Sequence, residues 1–199
     1  MAQRSKSVPV TLTAVFAAIY AVGVTVLAPI SFQVFQVRVA DALLPLSILF
    51  GWPAIVGLSL GAFVANLFGG LGPVDIVGGS IANLVAGYVA WRIALGRGKW
   101  RVSMAIGLQI LIVTLIVGTY LSYLFAMRLE IAWLGVLLGS IVAIGFLGSL
   151  VLRALSTERI VMVLRRHGIP VYPRRPGSAE SCHDDPKRKE RSSTITNDG

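Results

Sequence analysis

From residue 10 onward the chain alternates long apolar runs with short polar or glycine-proline breaks, and the run lengths predict an architecture. Residues 10–28 are free of charge and match the ~20 residues that a helix needs to cross a hydrocarbon core of ~30 Å. The break at 31–37 is an external link. A second apolar segment at 39–50 would reach only about 18 Å as a helix, and Gly51-Trp52-Pro53 divides it from a third at 54–65. These two are either short spans inside a bundle or one re-entrant hairpin. Pro73 opens a fourth helix to about residue 91, a fifth span covers 102–125 without a charge, and a sixth runs over 133–155. The pattern describes an all-α membrane protein, a bundle of about six transmembrane helices.

One break differs from the others. Asn66-Leu67-Phe68-Gly69-Gly70-Leu71-Gly72-Pro73-Val74-Asp75 combines glycines, a proline, an amide and a carboxylate. Irregular backbone at membrane depth survives only where protein or a water-filled cavity shelters it, so this stretch is a candidate wall of a binding site. Arg38, Asp41 and Asn83 are its nearest polar company. Ionisable groups inside a membrane cost roughly 2.5–3.5 kcal/mol each on insertion scales, and an amide facing lipid without a partner is also costly. Along the fourth helix Asp75, Gly79, Asn83 and Gly87 fall at successive i+4 steps and share a stripe, alternating polar groups with gaps that suit a ligand or a neighbouring backbone. Plainer roles stand beside this one: Asp75 is ordinary chemistry for a helix start after proline, and Arg38 with Asp41 has the spacing of an i, i+3 ion pair. Phe32, Phe35, Phe63, Tyr120 and Tyr123 lie toward the same side and suit stacking on a flat ligand. Trp91, Trp100 and Trp133 sit where interfacial belts place them.

Composition confirms the class: 55% of the 199 residues are hydrophobic and 14% charged, with a mean hydropathy of +0.78. Lysine and arginine number 18 against 9 acids. They gather at Arg4 and Lys6, from Arg92 to Arg101, and from Arg153 onward, alternating with the apolar runs as cytoplasmic loops do. Both termini are therefore expected in the cytoplasm, and the polar set near the outer face. No basic face interleaved with aromatics points to nucleic acid. Before residue 10 lies a short cytoplasmic N-terminus, and the first run reads as a retained span rather than a cleaved signal. Residues 156–169 suit an interfacial basic helix with Arg159, Arg165 and Arg166 toward anionic lipid headgroups. From 170 to 199, proline, charge and Ser/Thr predict disorder.

An enzyme would leave a constellation of catalytic residues, and none is legible. His167, His183 and the lone Cys182 fall in the basic tail, which offers neither a disulfide framework nor a zinc cluster. Gly96-Arg97-Gly98-Lys99 lacks the spacing of a phosphate-binding loop, so the chain is expected to need no cofactor or metal and to lack an ATPase of its own.

Ala14, Ala17, Ala18 and Ala21 place small residues along the first helix, where another helix can approach closely. Phe35-Gln36-Val37-Arg38-Val39-Ala40-Asp41-Ala42-Leu43, the Gly61-Ala62-Phe63-Val64-Ala65-Asn66 helix end, and Gly69 through Gly78, taken in this order, resemble the QueT family over roughly residues 11–155. Members of that family are substrate-binding S components of energy-coupling factor (ECF) transporters, proposed to import queuosine precursors. The resemblance implies a six-helix fold, an outward-facing pocket, and a partner module of a transmembrane T component with two cytosolic ATPases. It also turns the alanine face into a docking surface for the T component. The implied ligand is a 7-deazaguanine such as preQ0, preQ1 or queuine. A guanine-like edge offers two adjacent N–H donors beside a carbonyl, which a carboxylate and an amide can answer. Asp75 is the expected carboxylate, with Asn83 or Asn66 completing the edge and Asp41 available to a cationic aminomethyl group, held by Arg38. An S component for another vitamin-like ligand and a stand-alone secondary transporter are the alternatives.

Overall fold

The computed structural model describes residues 7–27, 38–96 and 99–172, and among these every regular element is helical. Five helices are long and apolar enough to cross a membrane. They are α1 (Ser7–Val26), α3 (Trp52–Gly69), α4 (Pro73–Ala94), α5 (Lys99–Leu124) and the composite Leu129–Leu155. The composite begins as α6 (Leu129–Ser140), widens into a π-helical segment (Ile141–Gly148) and closes as α7 (Ser149–Leu155). Between α1 and α3 lies a shorter unit, a 3-10 turn (Val39–Leu43) followed by α2 (Leu46–Phe50). Outward-facing Val10, Phe68, Phe146 and Leu150 are exposed, as a surface against lipid requires. The protein is an all-α membrane protein.

Glycine sets the central contact. A Cβ at Gly57 would stand 2.6 Å from the Thr13 carbonyl oxygen, and one at Gly61 2.7 Å from that of Ala17. Only hydrogen fits between these backbones, the close approach that small residues permit in membranes. Because 57 faces 13 while 61 faces 17, α1 and α3 run in the same direction. The chain must return between them, and the short unit makes that return. Its start packs beside Gly23 near the end of α1, with Ala40 Cβ 3.5 Å from a Cβ at that glycine. Its end, at Gly51, meets the Trp91 indole. On α4 the interval from Asp75 to Trp91 is about 24 Å, and the reach of the Arg38 side chain makes up what the short unit lacks. The unit 39–50 is thus a short pass through the bundle rather than one arm of a re-entrant hairpin.

The third run is longer than its sequence pattern suggests. Trp52 and Pro53 belong to the helix, with proline where its missing N–H is harmless, and Asn66 to Gly69 continue it until Gly70 adopts the left-handed conformation (φ 74°). The irregular break therefore shrinks to Gly70–Gly72. Gly72 is at φ 91°, and Pro73 starts α4 directly after it.

At the basic end lies α8 (Glu158–Arg166), with Arg165 and Arg166 in its last turn. Val161 and Leu164 pack on the core, leaving Ile160, Met162 and Val163 exposed. The chain then turns back onto the bundle: Val171 is buried, and Tyr172 meets Trp91 edge-on with ring centres 5.9 Å apart. The expected disordered tail therefore does not begin at residue 170. Its remainder, 173–199, lies outside the described residues, as do the link at 31–37 and residues 1–6.

Candidate functional site

Asp75 occupies the first turn of α4 because Pro73 fixes the helix start two residues earlier. That turn faces the end of α3, which carries Asn66, and the beginning of the short unit, which carries Arg38. Arg38 precedes the 3-10 turn at φ −77°, ψ 88°, and its long side chain reaches across to α4. Its Nη2 donates to Asp75 Oδ1 and to Asn66 Oδ1, both at 3.1 Å. Asn66 in turn gives its amide N–H to the Asp75 backbone carbonyl at 2.8 Å. Tyr120, from α5, completes the group by donating its hydroxyl to the same Asp75 Oδ1 at 2.8 Å.

Burial decides what this cluster is. Arg38 is 4% exposed, Asn66 1% and Asp75 0%, so the ion pair at 3.1 Å is cut off from water, unlike the exposed Arg128–Glu130 pair at the start of α6. Removing water from two charges is expensive, and only good geometry with further hydrogen bonds compensates. Oδ1 of Asp75 has two donors. Oδ2 is buried and has no hydrogen-bond partner among the described residues, which a carboxylate oxygen tolerates poorly.

Asp41 stands one turn along and accepts a hydrogen bond from the Tyr20 hydroxyl of α1. The i, i+3 ion pair anticipated between Arg38 and Asp41 is thus not the arrangement. Arg38 makes its direct ion pair with Asp75 across helices, while Asp41, still within electrostatic reach of Arg38, is bonded to Tyr20 of α1. Asn83 lies two turns below Asp75, near the Tyr20 hydroxyl, and its amide reaches the Leu58 carbonyl at 3.5 Å. The stripe Asp75, Gly79, Asn83 and Gly87 is wholly buried. Its gaps are filled from within: a Cβ at Gly79 would stand 2.5 Å from Asn66 Nδ2 and 3.1 Å from Arg38 Nη1, and one at Gly87 3.5 Å from Ser47 Cβ.

The aromatic expectations divide. Tyr120 joins the site through its hydroxyl, with its ring against Gly78, 2.8 Å from where a Cβ would be. Phe63 and Tyr123 are exposed, and Phe32 and Phe35 lie outside the described residues. Two polar contributors carry a signal that the reading of the sequence left unused. Tyr20 is the one tyrosine in the first apolar run, and Gln109 a lone amide in the charge-free fifth. Gln109, fully buried, donates to the Leu44 carbonyl at 3.0 Å and to Ser47 Oγ at 3.2 Å, holding the short unit at mid-depth. The argument that an amide in lipid needs a partner applies to Gln109 as fully as to Asn83.

A lipid-facing bundle that encloses a dry, charged, hydrogen-bonded group near one end is the build of a multi-pass membrane protein, and an ionisable group inside such a bundle is a functional candidate. A family model described as the QueT transporter matches residues 10–157, well over half the chain, and the chain belongs to that family. It is accordingly a transport protein of the cell membrane. No curated protein and no solved structure matches it.

Proposed function

We propose that the chain is the substrate-binding S component of an ECF importer and that its cargo is a 7-deazaguanine. The observation that carries this reading is Asp75 Oδ2, a fully buried carboxylate oxygen without a donor in a cluster whose other members bind one another. A ligand N–H supplies the missing donor, and Asn83 stands two turns below to answer a carbonyl. Because Oδ1 is already shared by Arg38 and Tyr120, Asp75 receives the guanine-like edge through Oδ2 rather than through both oxygens. The buried set holds two carboxylates, Asp41 and Asp75, against one guanidinium, and residues 28–37 add no ionisable group. A cationic aminomethyl form such as preQ1 would place its ammonium beside Asp41. With the basic end in the cytoplasm, cargo would enter from outside, over Gly70–Gly72.

Purified protein is expected to bind a 7-deazaguanine, and Asp75→Ala weakens that binding at least about tenfold, the range of a lost hydrogen bond to a charged group. Asn83→Ala, which leaves the Arg38–Asp75 pair intact, weakens it less. Calorimetric titration of folded, monodisperse protein decides the matter, and unchanged affinity in Asp75→Ala removes Asp75 from the site.

Energy enters through α1. Ala14 and Ala18 are exposed, whereas Ala17 and Ala21 are half-buried, Ala17 beneath Gly61. The docking face for a T component is therefore assigned to Ala14 and Ala18, continued by Val15, Ile19 and Val22. Ala14→Trp or Ala18→Trp should abolish ATP-driven uptake while sparing ligand binding. Normal uptake by both variants defeats the docking assignment, and uptake that survives without an ATPase module favours a secondary transporter.

A further inference from the structure

The short unit has an unmet need at its basic end. The carbonyl of Leu49 would accept a helical hydrogen bond from the residue four positions on, but that residue is Pro53, which has no N–H. Its donor comes instead from the far end of the described chain: the backbone N–H of Tyr172 reaches Leu49 O at 2.7 Å. The Tyr172 ring lies over Gly51, 3.2 Å from where a Cβ would stand, and edge-on to Trp91. Trp91 also packs on Trp52, which begins α3. Gly51 itself turns at φ 64°. A side chain there would meet both rings, so the glycine leaves room for the strap as well as for the turn.

The unit that Tyr172 closes is the one whose opposite end bears Arg38 and Asp41. Successive hydrogen bonds run along it: Asp41 N–H to Arg38 O, Leu44 N–H to Asp41 O, Ser47 N–H to Leu44 O, and Gly51 N–H to Ser47 O. A 3-10 turn and a five-residue helix are too short to hold themselves, so the unit depends on its ties. Those ties stand at three heights, with Tyr20, Asn66 and Asp75 at one end, Gln109 midway and Tyr172 at the other.

We infer that Tyr172 is a positioning residue, fixing the Leu49–Gly51 end of the short unit and thereby holding Arg38 and Asp41 in register with Asp75 and Tyr20. This rests on the reading of that cluster as the substrate site. The strap falls beyond residues 10–157, the part matched by the family model. It lies across the basic end of the bundle, the end from which cargo would leave. Release of the strap frees the unit to swing, and the site loosens from below.

The test compares full-length protein with Tyr172→Ala, Tyr172→Phe and a chain ended after Gly168, using amide hydrogen exchange resolved along residues 40–51. Tyr172→Ala and the shortened chain should exchange faster along the whole unit, up to Asp41 and Ala42, by on the order of tenfold. Tyr172→Phe, which keeps both ring and N–H, should match the parent. Faster exchange confined to 49–51, with 41–44 unchanged, overturns the inference and leaves Tyr172 a local packing residue. Should Tyr172→Ala fail to fold, Tyr172→Leu retains apolar bulk without the aromatic edge and gives the same comparison. In a second arm, dissociation of 7-aminomethyl-7-deazaguanine should quicken severalfold in Tyr172→Ala and not in Tyr172→Phe; equal rates contradict positioning of the site. If the parent protein binds none of this probe, the assignment of the site falls, and the exchange data still decide the role of the strap.

Discussion

Replacing Arg38 with alanine should destabilise the folded bundle by about 3–5 kcal/mol, the range for breaking a buried ion pair by removing one partner. The deletion strands Asp75 as a buried charge, with one donor left on Oδ1, from Tyr120, and none on Oδ2. It also takes the donor from Asn66 Oδ1. Arg38→Ala combined with Asp75→Ala should recover a good part of the loss, because the stranded charge disappears with the second substitution. Unfolding in a bilayer mimic, followed by denaturant titration, provides the comparison. A single-variant loss below about 1 kcal/mol, the range of an exposed pair, would show that water reaches the site and that the dry cluster is not the resting arrangement.

The second large effect is steric. Gly61→Leu should prevent α1 and α3 from closing, since even its Cβ would lie 2.7 Å from the Ala17 carbonyl oxygen and 2.8 Å from Tyr20 Cβ. Neither neighbour is the far end of a flexible side chain, so the helices must part. Overpacking usually costs about 1–3 kcal/mol, and a clash with backbone belongs at the upper end. Tyr20 moves with α1, so Asp41 loses its partner at the same time. Gly107→Leu is the control, because a Cβ at Gly107 meets nothing within 4 Å. The folded yield of Gly61→Leu should collapse while that of Gly107→Leu stays near the parent's, and equal yields would contradict the close contact.

Much of this arrangement is legible in the sequence where the governing physics is local. Run length and the placement of lysine and arginine suffice for a helical membrane bundle, because hydrocarbon tolerates little else. Proline at 73 marks the start of α4, and the i+4 spacing of Asp75, Gly79, Asn83 and Gly87 foretells one buried stripe. Gly51-Trp52-Pro53 misleads, since tryptophan and proline there begin a helix rather than prolong a break. The partner of Arg38 is hidden for a different reason. An i, i+3 rule sees only the neighbouring turn, whereas the packing of α4 beside the short unit brings in the carboxylate that it meets. Tyr172 is more deeply hidden, as the proline- and charge-rich composition after residue 170 argues for disorder. The Leu49 carbonyl freed by Pro53 is a demand visible in sequence, but only the folded chain shows what meets it.

The central claim is that the dry cluster around Asp75 is built to receive a flat, N–H-bearing ligand. Native mass spectrometry of protein purified from cells, with release and identification of any bound small molecule, tests it most directly. The account predicts the mass of a 7-deazaguanine on the parent protein and its absence from Asp75→Ala. A retained ligand with no N–H edge to offer, or the same ligand held equally by Asp75→Ala, would contradict it.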